Sequence, residues 1–257
     1  MTCVSLCRIV GIGKELLIGD VVNTNASYIA RFLNRHGYFV DKITCIRDRY
    51  EAISETILEA KRDNVNYLFT TGGLGPTYDD ITMESVAKTL GLDLVLNEET
   101  LLKLQARAKA RGQPFNDSIK KMAYLPKGCR MIPNELGAAP GADVNLGGLR
   151  IFVLPGVPLE MKGMIKSYIS KTLPNLGRYY QKRLVLQGIG ESGLAQTIAE
   201  IARTYRDIYI KSHPRLKKGR YYISLHIYVY DVTSEHAVEH VKEAAETIIS
   251  RFADYIQ

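Results

Sequence analysis

The residues best suited to chemistry stand in one run, Thr70-Thr71-Gly72-Gly73-Leu74-Gly75-Pro76-Thr77-Tyr78-Asp79-Asp80-Ile81-Thr82. Three glycines let the backbone turn tightly and come close to a ligand. Successive N–H groups in such a turn, with the start of a helix behind them, attract an anion. Asp79 and Asp80 follow at once. Beside a phosphate, a carboxylate serves best by holding a divalent metal or by orienting water. The same string also reads as a plain strand-to-helix turn in which Asp80 or Thr82 caps the helix.

Three further clusters share this character. In Leu154-Pro155-Gly156-Val157-Pro158-Leu159-Glu160-Met161, Pro158 suits a first helical turn. Glu160 then either contacts a ligand or only complements the helix dipole. Asn134-Glu135-Leu136-Gly137-Ala138-Ala139-Pro140-Gly141 is too rich in small residues for a core element; it closes over a ligand or forms a surface turn. Gly13-Lys14-Glu15-Leu16-Leu17-Ile18-Gly19-Asp20, with Asn23-Thr24-Asn25 after it, follows the first strand. Other patterns fail. Leu16 replaces the third glycine of a dinucleotide fingerprint, and Arg8 stands where a P-loop needs its first glycine. His236-Ala237-Val238-Glu239-His240 spells a metalloprotease string, but both histidines face away from the apolar side of their helix. Arg215-Leu216-Lys217-Lys218-Gly219-Arg220 reads as a basic hairpin loop.

Alternating strands and helices must position these clusters. Strands are expected over 3–12, 38–46, 65–70 and 150–154, and helices from 24, over 50–62, 82–90, 97–111, 117–123 and 158–173. Residues 130–150 read as irregular strands and turns. This order implies a parallel sheet covered on both faces, with all four clusters at the carboxyl ends of its strands, where such sheets bind ligands. Pro174-Asn175-Leu176-Gly177 reads as a linker. Beyond it come strands over 182–188, 207–212 and 220–230 and helices over 191–204 and 233–252, a small α+β domain. The expected domains are 1–175 and 178–257.

With 46% hydrophobic and 24% charged residues, the 257-residue chain has ordinary globular usage. Its apolar runs are far too short to span a bilayer, and its N-terminus lacks the marks of a signal peptide. Cys3, Cys7, Cys45 and Cys129 form no C-x-x-C pair and fit buried thiols of a reduced compartment. A cytoplasmic protein without a membrane partner is expected. The net charge of +7 favours anionic ligands and does not single out nucleic acid, which is not an expected partner.

Taken together, Gly13-Lys14-Glu15-Leu16-Leu17, Asn23-Thr24-Asn25, the Thr71–Thr82 stretch, Pro140-Gly141 and Pro155-Gly156-Val157-Pro158-Leu159-Glu160-Met161 resemble, in order, the N-terminal domain of the CinA family. That domain is similar to the MoaB, Mog and gephyrin molybdenum-cofactor domain. The resemblance covers about residues 4–173. Gly188-Ile189-Gly190-Glu191-Ser192 and Ser212-His213-Pro214 look like the family's small KH-like domain. It implies a three-layer α/β fold with a parallel or mixed sheet, followed by a small α+β KH-like domain. It also implies divalent-metal-dependent hydrolysis of ADP-ribose to AMP and ribose 5-phosphate (with Mg²⁺, Mn²⁺ or Co²⁺), promoted by potassium, in a homo-oligomer, dimer or trimer. Deamidation of nicotinamide mononucleotide, carried by a further C-terminal domain in full-length members, is not expected here. The family pattern has Asp at the position of Lys14 and commonly Thr or Ser at that of Ala138, so one carboxylate and one hydroxyl are missing.

On this reading the diphosphate lies along Gly72, Gly73, Gly75, Pro76 and Thr77, Asp80 ligates the metal, and Asp79 or Glu160 orders water. Glu15 and Asn25 line the pocket, and Pro155, Gly156 and Pro158 form its wall. The alternatives are binding or adenylylation of molybdopterin by the same loops, and a nucleotide-binding module without catalysis. Nucleic-acid binding through the basic loop is the weakest option.

Overall fold

A computed structural model describes residues 5–177, 179–217, 219–229 and 235–257. Cys3, Lys218 and the first two residues of the expected final helix lie outside them. No helix among the described residues is long and apolar enough to cross a membrane. The chain forms two compact units, Met1–Leu33 with Tyr38–Pro174, and Asn34–Gly37 with Asn175–Gln257.

The first unit is a βα succession. β1 (Leu6–Ile12) leads through a single turn, α1 (Lys14–Leu17), to α2 (Thr24–Arg35). Asn23 caps α2 by accepting the Ala26 N–H at 3.0 Å. β2 (Phe39–Ile46), α3 (Tyr50–Arg62), β3 (Tyr67–Thr71) and α4 (Thr82–Thr89) follow. A short β4 (Leu94–Leu96) precedes α5 (Glu98–Ala110), which Asn97 caps through the Thr100 N–H. After α6 (Asp117–Lys120) and a 3₁₀ turn (Lys121–Ala123) comes β5 (Tyr124–Pro126), antiparallel to β4. Then come β6 (Arg130–Ile132), β7 (Gly141–Asn145) and β8 (Arg150–Leu154). Last is α7 (Pro158–Met164), continued by a π turn (Ile165–Ile169) into α8 (Ser170–Thr172).

Six strands form one sheet in the order β2-β1-β3-β8-β7-β6 among the described residues. The first four are parallel; β7 and β6 add an antiparallel edge. The stretch 130–150, expected to form irregular strands and turns, supplies two strands of the sheet, with Gly141–Val144 buried. Strand alternation sorts side chains to two faces. Val10, Ile12, Leu68, Ile151 and Val153 meet Ile53 and Ile57 of α3 and Val86 of α4. Cys7, Ile9, Phe69, Phe152 and Leu154 meet Ile29 and Leu33 of α2 and Met161 and Met164 of α7. The result is the three-layer α/β architecture implied by the sequence.

The second unit holds β9 (Tyr180–Gln187), α9 (Glu191–Thr204), β10 (Tyr209–Lys217), β11 (Arg220–Val229) and α10 (Glu235–Arg251). Its sheet is antiparallel in the order β10-β11-β9. The strand expected to end at 212 runs on to Lys217 and pairs with β11 from Tyr209↔Tyr228 to Lys217↔Arg220. The basic run therefore stands largely on strands. Pro214 is tolerated because β10 is an edge strand. The buried side of α10 carries Ala237, Val241, Ala244, Ala245 and Ile248, while Ile249 is exposed. His240 of the metalloprotease-like string bonds Asp207 at 2.9 Å.

Candidate functional site

β1, β3 and β8 are neighbours, so the loops leaving them meet at one sheet edge. The turn after β3 is fixed by contacts that only glycine permits. Gly72 has φ +117°, and a Cβ there would lie 2.0 Å from the Ile12 carbonyl oxygen. Gly73, at φ +67°, leaves room for the Thr82 hydroxyl, which donates to Gly72 O at 3.0 Å. Gly75 leaves room for the Asp80 carboxylate, whose Oδ2 would be 2.5 Å from a Cβ. That oxygen accepts the Thr77 N–H at 2.9 Å and the Thr77 hydroxyl at 2.6 Å. The same hydroxyl lies 2.5 Å from Asp79 Oδ1 and holds the Asp79 carboxyl below its usual range. Neither Asp80 nor Thr82 caps α4 with its side chain.

These bonds settle which amides are already occupied. The Gly72 N–H donates to Leu154 O at 3.0 Å, and that of Thr77 is taken by Asp80. The N–H groups of Gly73, Leu74 and Gly75 have no partner among the described residues. They border a cavity of about 620 Å³, a size that suits a small ligand.

Of the residues singled out in the sequence, Glu15, Gly72, Gly73, Gly75, Pro76, Thr77, Asp79, Asp80, Pro155, Gly156 and Glu160 line this cavity, as do Lys14 and Ala138. Asn25 and Pro158 do not; they border a separate hollow of about 80 Å³ behind Gly156. Asn25 is 7% exposed, and its Nδ2 donates to Thr71 Oγ1 at 2.8 Å and to Gly156 O at 2.7 Å. Thr71 Oγ1 in turn donates to Pro155 O at 2.8 Å. Asn25 thus ties the loops after β3 and β8 together from behind. Its side chain borders that hollow and not the larger cavity.

Glu160 lies in the first turn of α7 and accepts Asn134 Nδ2 at 2.7 Å. Asn134 also donates to Ala139 O and accepts the Gly137 N–H, each at 2.8 Å. Glu160 therefore anchors the 134–139 loop as well as facing the cavity. The Glu15 carboxylate folds back over Gly13, where a Cβ would lie 2.2 Å from Oε1.

Several lining residues carry no local signature. Asp48, between β2 and α3, accepts the Lys14 N–H at 2.9 Å. Burial raises its carboxyl above the usual range, opposed by that bond and reinforced by the charges of Glu15 and Asp79. Arg107 and Arg111, at the end of α5, supply cations; Arg107 also donates to Gly137 O. Lys121, from the 3₁₀ turn, braces the glycine loop from outside by donating to Thr77 O and, at 3.2 Å, to Asp80 O.

The donor set can be tested against a divalent ion. Among the described residues no group of three or more His, Cys, Asp or Glu is placed to hold a metal. Asp79 and Asp80 each keep one carboxylate oxygen clear of Thr77. That fits a hard cation held by one or two carboxylates and completed by ligand phosphate oxygens, and does not fit an all-protein cage.

A mostly parallel α/β sheet with a glycine turn and a bordering cavity at its carboxyl edge has the architecture of a small-molecule-binding domain. The chain belongs to the family described as a probable molybdopterin binding domain, which matches residues 8–175. Within it the chain is a CinA-like protein. The crystal structure of the protein CinA, of unknown function, from Thermoplasma acidophilum is 36% identical, with a TM-score of 0.61, covering 66% of this chain and 99% of that one. A protein of Metallosphaera sedula is 40% identical over 246 residues, 95% of this chain and 91% of its own. A protein of Pyrococcus furiosus is 41% identical over 245 residues, 91% of this chain and 95% of its own.

Proposed function

We propose that the cavity of the first unit binds a phosphorylated heterocycle of the molybdopterin or adenine-nucleotide type, with its phosphate on the Gly73, Leu74 and Gly75 amides. The observation that carries this reading is those three amides, unpartnered and bordering the cavity that Lys14, Arg107 and Arg111 also line. Amides held in a closely packed turn need little reorganisation to receive a phosphate. The cations add attraction without requiring a particular heterocycle, and membership of a molybdopterin-binding family favours a pterin. Isothermal titration with molybdopterin, AMP and ADP-ribose tests it. Saturable binding that Gly75→Ala weakens supports the reading; no binding of any of the three removes it.

A second reading is hydrolysis of ADP-ribose to AMP and ribose 5-phosphate. It is favoured by Asp48, Asp79 and Asp80 lining the same cavity. Asp79 and Asp80 would hold the divalent ion, which would neutralise charge on the diphosphate. The protein's own part is to seat the diphosphate on the three amides and to orient water from a carboxylate. The check is AMP release with Mg²⁺, Mn²⁺ or Co²⁺ and potassium present, lost in Asp80→Asn. Binding without AMP leaves the first reading alone standing.

A further inference from the structure

The second unit has a sheet face that the cavity does not use. α9 and α10 cover one side, where Leu186, Ile223, Leu225, Ile227 and Val229 are buried. By strand alternation and register, the other side carries the cross-strand rows Tyr209–Tyr228–Gln181, Lys211–His226–Arg183, His213–Ser224–Val185 and Arg215–Tyr222–Gln187. Lys211, Arg183 and Arg215 are exposed, and Tyr209 is 57% exposed.

Two features of this face point the same way. The first is segregation of charge. On this side the three strands carry Arg183, Lys211, Arg215 and Arg220 and not one Asp or Glu, while the helices α9 and α10 carry Glu191, Glu200, Glu239, Glu243 and Glu246 beside Arg203, Lys242 and Arg251. The second is a set of flat rings among the cations. Tyr209 stacks on Tyr228 at 5.4 Å with 17° between planes, and His226 lies 4.6 Å from Tyr228. Burial, with the guanidinium of Arg183 nearby, pushes His226 down to about 4, so at neutral pH it is an uncharged ring held by Tyr179 and Gln181.

We infer that this face binds single-stranded nucleic acid. A polyanion matches an acid-free basic surface, and unpaired bases match an aromatic cluster whose Tyr209 is exposed. A duplex keeps its bases stacked internally and has no use for such rings. Successive rows stand about 6.8 Å apart, two residues along a strand, so cations and rings alternate over a span that several nucleotides can follow. The net charge of the chain does not single out this partner; the sorting of charge onto one face does.

Fluorescence anisotropy of the full chain with labelled U12 RNA, dT12 DNA and a 12-base-pair duplex tests the inference, at 50 and 200 mM salt. The expected result is binding of one or both single strands, weaker at high salt, with the duplex bound at least tenfold less well. Tyr209→Ala, at an exposed position, should weaken binding about fivefold or more with the salt dependence unchanged. Lys211→Ala with Arg215→Ala should instead make the salt dependence shallower. Circular dichroism melts confirm that both variants fold. No binding of either single strand at 10 μM protein and 50 mM salt overturns the inference. So does equal binding of the duplex, or binding only to phosphatidylglycerol vesicles.

Discussion

Gly72 and Gly75 look alike in the sequence and do different work. At Gly72 a Cβ would meet backbone, the Ile12 carbonyl, at φ +117°, and neither side can yield. Gly72→Ala should cost about 2 kcal/mol of stability or more in urea unfolding. At Gly75 a Cβ would meet only the Asp80 carboxylate, which can swing away. Gly75→Ala should keep most of the stability and, by displacing the Asp80 carboxylate and with it the amide at position 75, weaken phosphate-ligand binding about tenfold, roughly the effect of one charge-assisted bond. Asp48 gives a pH test. Burial raises its folded value, so its charge opposes folding. That penalty is absent below the ordinary carboxylate range and grows as pH rises through the raised value. Asp48→Asn should therefore gain stability relative to wild type at pH 7 and not at pH 3, by thermal melts at both. Equal shifts at the two pH values would contradict the assignment. At this scale the glycine loop was legible because glycines declare their need locally. The support role of Asn25 was not, since its partners Thr71 and Gly156 are 46 and 131 residues away.

Elements carry what motifs omit. α5 delivers Arg107 and Arg111 to the cavity from a stretch whose composition reads only as a charged helix. Its Asn97 cap predicts that Asn97→Ala loses about 1 kcal/mol and frays the helix start, by urea unfolding and amide exchange. The 134–139 loop depends on Asn134, whose amide makes three bonds there. Asn134→Ala should lose about 1–3 kcal/mol and release Glu160. A loss below half a kcal/mol would mean that the loop holds by other contacts. The buried parallel strands and their helices were readable from periodicity. β7 was not, because Gly141, Ala142 and Asp143 have no strand signature and are buried only because β8 lies beside them. β10 was read short because Pro214 interrupts it, and an edge strand forgives a missing donor.

At the scale of the molecule, the cavity and both cores of the large sheet draw on residues up to Leu173. The solved CinA chain from Thermoplasma acidophilum is matched over 99% of its length by 66% of this one, so a chain of about that extent folds. A version ending at Gly177 should fold and bind phosphate ligands within about threefold of the full chain, by titration. The relatives from Metallosphaera sedula and Pyrococcus furiosus match 95% and 91% of this chain, so their similarity reaches into the second unit. The central claim is narrower, that Gly73, Leu74 and Gly75 receive a phosphate. Nitrogen-15 NMR of the first unit, titrated with AMP and then ADP-ribose, reads those amides directly. Saturable downfield shifts are expected at these three, with Gly72 and Thr77, already bonded to Leu154 and Asp80, moving far less. Saturable binding that leaves the three amides unmoved would contradict that claim.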